Sequence, residues 1–98
     1  MSGLMLIPYS VQPVIEKMQR SDEIVSALGM VPGADALLGI TLTDDGPVVF
    51  TIRRRGHQDP ESFTRDRADV LTDLGLINAQ LVSVRFVNDI AYWGVVPV

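Results

Sequence analysis

The chain has 98 residues, 47% hydrophobic and 20% charged, which suits one small folded domain spanning 1–98 and argues against intrinsic disorder. It contains no cysteine, so disulfides, thiol nucleophiles and cysteine-ligated metals are excluded. The formal net charge of −4 argues against general nucleic-acid binding, which needs basic surface to release counterions, and no run approaches the ~20 apolar residues of a membrane span.

The first apolar run, Gly3-Leu4-Met5-Leu6-Ile7, lacks a basic leader, is broken by Pro8 and is too short for a signal-peptide core, so a soluble cytoplasmic protein is the expectation. Leu4 to Ile7 reads as a buried strand. Ser10 then caps a helix with Pro13 in its first turn, where a missing N–H costs nothing. On that helix Val11, Val14, Met18, Ile24, Val25 and Leu28 share one side, Glu16, Gln19, Arg20 and Glu23 fall opposite, and Gly29 is the left-handed stop. Ser21-Asp22 offers a second start, for a shorter helix.

Leu37 to Thr43 and Val48 to Arg54 read as two strands joined at Asp44-Asp45-Gly46-Pro47, a hairpin signal. Val48, Phe50 and Ile52 are the expected core face. Asp59 as N-cap, Pro60 at the first helical position and Glu61 at the positive end of the dipole predict a second helix running to Leu74, with Gly75 as its stop. The C-terminal stretch predicts a hairpin around Asn88-Asp89 that pairs Val84 with Trp93, Phe86 with Ala91 and Arg85 with Tyr92. Val82, Val84, Phe86, Ala91, Trp93 and Val95 would face the core, with Ser83, Arg85 and Tyr92 opposite.

The expected class is α+β, in the order β-α-β-β-α-β-β. The first six elements resemble the ferredoxin-like plan, an antiparallel sheet with two helices on one face, here with an added C-terminal hairpin strand. Cut as two βαββ-like halves with one strand missing, the order is similar to that of the small cofactor-free effector proteins of multicomponent monooxygenases. Both resemblances rest on element order, which implies a fold and does not assign a function.

Charge is unevenly placed. Residues 53–67 hold five of the eight basic residues (Arg53, Arg54, Arg55, Arg65, Arg67) against three acids, while the rest of the chain is strongly acidic. Strand alternation turns Arg53 and Arg55 to an open face beside Thr51 and carries Arg54 along the core line. Arg67 falls inside the apolar arc of Phe63, Val70, Leu71 and Leu74, where it snorkels, pairs with a buried acceptor, or lines a cleft beside Arg54; Arg65 points away. His57 is the lone histidine, in a Gly-His-Gln-Asp loop, and reads as solvated more readily than as an acid–base group or metal ligand. Asp44-Asp45-Gly46 lacks the later acidic positions of a calcium loop. Leu71, where a helix-turn-helix needs a small residue, and the strand-like Leu81 to Val87 argue against DNA binding.

These residues support a non-enzymatic regulatory, effector or inhibitor module that binds another protein, one with an acidic patch, through Arg53, Arg55, Arg65 and Tyr92. No catalytic residue, cofactor or metal is called for. The profile resembles phage-encoded inhibitors, bacterial immunity proteins and subunits of larger assemblies. An open strand edge on the terminal hairpin, with Val96 and Val98, would add apolar contact or self-association. The alternative is a small-anion or phosphate-binding or catalytic domain around Arg54, His57 and Arg67, which requires those three to converge on a pocket.

Overall fold

The structure, a computed structural model, describes residues 14–98. In chain order these form β1 (Ile15–Arg20), α1 (Ser21–Ala27), β2 (Ala36–Leu42), β3 (Val48–Arg53), β4 (Glu61–Arg65), α2 (Arg67–Asp73), β5 (Ala79–Val87) and β6 (Ile90–Pro97). The strands build two three-stranded antiparallel sheets, ordered β1-β6-β5 and β2-β3-β4. The α+β class stands. The strands divide between two sheets, however, where the ferredoxin-like plan needs one. The strand expected at Leu4 to Ile7 and the helix start expected at Ser10 to Pro13 lie outside the described residues. Among the described residues no helix is long and apolar enough to cross a membrane.

Two stretches expected to be helical are strands. Residues 15–20 pair with β6 in an unbroken register from Ile15↔Val95 to Arg20↔Ile90. Alternation, not helical periodicity, sorts their side chains: Gln19 turns inward and is buried, whereas Glu16, Met18 and Arg20 turn out. The helix begins at Ser21, the second start that Ser21-Asp22 offers, and buries Ile24 and Val25. Residues 61–65, expected in the first turns of a helix capped by Asp59, instead extend β3 by a third strand, with Phe63 directly opposite Phe50. Glu61-Ser62-Phe63-Thr64-Arg65 has the alternation of a half-buried strand, and burying Phe63 beside Phe50 outweighs the local cap signal. The helix starts only at Arg67, and of its expected apolar arc Val70 is buried while Leu71 and Leu74 pack against the core.

Both glycine stops hold. Gly29 (φ 78°) and Gly75 (φ 74°) occupy the left-handed position after each helix. The N–H groups of Met30 and Leu76 reach back to the carbonyls of Val25 and Leu71, each at 3.0 Å, closing the two-bond motif that caps orphan carbonyls.

The two hairpins also form as expected. Asp44 to Pro47 links β2 to β3, and Asn88 (φ 52°) with Asp89 (φ 62°) makes the tight turn between β5 and β6. Val84 pairs with Trp93, Arg85 with Tyr92 and Phe86 with Ala91. The register then slips between Leu81 and Ser83. That bulge reverses the parity of the strand, so Leu81 is buried and Val82, expected inside, is exposed.

The core lies between the sheets. Phe50 on central strand β3 meets Trp93 on central strand β6 edge to face, ring centroids 6.3 Å apart. Val48, Ile52, Leu81, Ala91 and Val95 complete the layer. Helix α1 rests against β1 and β2, and α2 against β5.

Candidate functional site

The basic cluster sits where β3 runs out of its sheet. Ile52 is the last buried residue; Arg53, opposite Ala36, is exposed, and Arg54 opens the loop to β4. The chain reverses over Arg54-Arg55-Gly56-His57, with the His57 N–H donating to the Arg54 carbonyl at 3.0 Å. Gly56 takes φ 82° at the third position, which strains a residue with a side chain. Arg55 is thereby held at the corner of the turn.

Asp35 braces this turn from outside. Its carboxylate accepts the Val31 N–H at 3.2 Å and the Arg55 N–H at 3.1 Å, twenty residues along the chain. Those two backbone bonds, with the nearby positive charge of Arg54 and His57, hold its pKa below the ordinary aspartate value. Asp35 ends a Val31-Pro32-Gly33-Ala34 turn, which marks it as a turn residue in sequence; its reach to Arg55 leaves no sequence signal.

Each arginine has a different fate. The Arg54 Nε lies 3.1 Å from Glu61 Oε2, and its guanidinium lies 5.3 Å from the centre of the Phe63 ring. His57 Nδ1 is 3.9 Å from the same Glu61 oxygen, an ion pair only when the imidazole is protonated. Arg65 is ion-paired with Asp73 and mostly buried. Arg67 points its fork at backbone: Nε donates to the Gly46 carbonyl at 2.9 Å, Nη1 to Leu81 at 3.2 Å, and Nη2 to Thr43. Arg20 meets Asp22 and Glu23, and Arg85 reaches Glu16 while lying 4.3 Å over the Tyr92 ring. Of the seven arginines in the chain, only Arg53 and Arg55 have no carboxylate, carbonyl or ring partner for their side chains among the described residues.

The residues expected to act together therefore separate. Arg54, Arg55 and His57 share one turn, and Arg53 is the strand residue just before it. Arg65 pairs with Val48 at the far end of β3, and Arg67 lies beyond it, a strand length or roughly 20 Å from Arg54. Arg54, His57 and Arg67 thus do not converge. Tyr92 is on the outer face of the central strand β6, half-buried under Arg85 and away from any strand edge. The cleft beside Arg67, about 730 Å³, is lined by Thr41, Thr43, Asp44, Asp45 and Ser83, and its two carboxylates oppose an anion. Another, about 600 Å³, opens beside Arg20, Asp22, Glu23 and Asp73. Among the described residues no three His, Asp or Glu side chains gather as a metal set would.

No protein-family model matches the chain, and no curated protein or solved structure matches it.

Proposed function

We propose that the protein is a non-enzymatic binding module, a regulator, effector or inhibitor, that presents Arg53 and Arg55 to an acidic patch on another protein. One observation carries this reading. Every other arginine among the described residues is engaged within the chain, while these two are exposed, Arg53 at the end of β3 and Arg55 on the adjoining turn braced by Asp35 and Gly56. Guanidinium forks suit carboxylates bidentately. A turn already held in shape has less conformational freedom to lose on binding, and unpaired charge in an otherwise acidic protein steers encounter with an acidic surface. Arg54 serves the turn, since Glu61 and the Phe63 ring engage its side chain.

The test compares wild-type bait with the Arg53→Ala/Arg55→Ala double variant in extract of the source cell, by cross-linking and mass spectrometry. The expected result is a partner cross-linked at the turn through an acidic segment, released by raised salt and lost with the double variant. Identical recovery by both baits would remove the reading.

A further inference from the structure

Each sheet has two edge strands, and the four differ in how open they are. β2 and β5 approach each other across the sheets, and each carries a register break, between Leu37 and Gly39 and between Leu81 and Ser83. Bulges twist an edge and spoil it as a template. β4 has five residues, with polar Ser62 and Thr64 exposed and Arg65 tied to Asp73. β1 has no bulge, and its edge charges, Glu16, Lys17 and Arg20, come in both signs, so they protect it only against a partner that does not match them. Its register with β6 is unbroken, no strand among the described residues pairs with its outer edge, and Val14, Ile15 and Met18 are 59%, 54% and 67% exposed.

We propose that β1 pairs antiparallel with β1 of a second copy about a two-fold axis at Met18, giving a continuous sheet in the order β5-β6-β1-β1-β6-β5. The register follows from symmetry and charge. A two-fold axis perpendicular to a sheet leaves each residue on its own face, and residues directly opposite in an antiparallel pair share a face. The axis therefore passes where one residue meets its own copy. An axis at Glu16 or Lys17 sets like charges opposite each other, which destabilises the pair. An axis at Gln19 sets the Trp93-bound side chain opposite itself and makes no charge pair. An axis at Met18 puts Glu16 opposite the partner's Arg20, and by symmetry Arg20 opposite the partner's Glu16, with Met18 against Met18 and Lys17 against neutral Gln19.

Glu16, Met18 and Arg20 lie on one face because they stand opposite Gly94, Tyr92 and Ile90 in the β6 register, alternating with the inward Gln19. Tyr92 then extends the apolar strip beside Met18. The existing partners of these charges, Arg85 for Glu16 at 3.7 Å and Asp22 and Glu23 for Arg20 at 3.2 and 3.4 Å, are exposed pairs that hold the side chains only weakly. This self-association is independent of the arginine turn, so either proposal can fail alone.

Sedimentation equilibrium on the full chain tests it, with circular dichroism to check that each variant folds. The wild type should dimerise, and Glu16→Arg and Arg20→Glu should each weaken the dimer by about tenfold or more, because each sets two like-charge pairs across the axis. Mixing those two variants should restore association as a heterodimer, since every facing pair then has opposite charge. The chain has no cysteine, so oxidised Met18→Cys should give a covalent dimer and Lys17→Cys should not. A wild type that stays monomeric to about 1 mM overturns the proposal. So does a dimer indifferent to both charge reversals, or one cross-linked as readily at position 17 as at 18.

Discussion

The indole N–H of Trp93 donates to the side-chain carbonyl of Gln19 at 3.0 Å, and both residues are buried. The bond joins β1 to β6 inside the core, where Trp93 also meets Phe50 of the other sheet. Trp93→Ala removes the largest buried side chain and should destabilise by about 3–5 kcal/mol. Gln19→Leu leaves the indole N–H without its partner and should destabilise by about 1–3 kcal/mol, although leucine is the more apolar residue. Urea midpoints measure both, and a near-neutral Trp93→Ala would contradict the hairpin register itself.

Arg67 and the Arg53/Arg55 pair should behave oppositely. Arg67→Met keeps much of the apolar stem but strips the carbonyls of Thr43, Gly46 and Leu81 of a shared donor, at about 1.5–3 kcal/mol. Arg67→Lys should recover little of this, because a point charge cannot replace a planar fork that reaches three acceptors. Arg53→Ala/Arg55→Ala should shift stability by no more than about 0.5 kcal/mol. A melting series with all three variants separates the arginine that builds the fold from those free to meet a partner.

Asp35 gives the turn a pH dependence of known sign. Its folded-state pKa is lowered, so in the unfolded chain it binds a proton more readily, near the ordinary value of about 3.9. The stability it contributes is present above that pH and is lost as pH falls through the lowered folded value. Asp35→Asn should therefore flatten the acid limb of the stability profile. The Arg55 amide resonance of the wild type should titrate with the Asp35 carboxylate, since that amide donates to it. An Arg55 amide indifferent to acid would show that the brace is absent in solution.

What sequence reasoning reaches here depends on how far apart the interacting residues lie. The β5–β6 hairpin is legible because alternation and a two-residue turn specify its register locally; Gly29 and Gly75 are legible because a left-handed stop favours glycine. β1 was hidden because its only strand partner among the described residues is β6, at the other end of the chain, and its residues also fit a helical wheel. β4 was hidden by Asp59-Pro60, a strong cap signal overridden by the Phe50↔Phe63 pairing. At the candidate site, alternation turns Arg53 outward at the end of β3, but Arg54 and Arg55 lie past the strand, where the turn and not the pleat orients them. That Arg67 binds carbonyls at residues 43, 46 and 81, and that Asp35 holds Arg55, follow only once distant segments are brought together.

Gly94 tests the packing at the β5 bulge. It is buried on β6 opposite Ser83, next to the bulge residue Val82, and a Cβ built on it would overlap the Ser83 hydroxyl and stand 3.3 Å from Val14 Cγ1 and 3.4 Å from Ser83 Cβ. Its backbone is not in the left-handed region, so the conflict is one of space and not of dihedral angle. Gly94→Ala should destabilise by about 1–3 kcal/mol through overpacking. Ser83→Gly removes the overlapping hydroxyl and the Ser83 Cβ together, so Ser83→Gly/Gly94→Ala should recover part of the loss in a double-mutant cycle. Full additivity of the two changes would place the strain elsewhere, against Val14 on the neighbouring strand's entry, and would show that the Ser83↔Gly94 pairing is not what requires a glycine there.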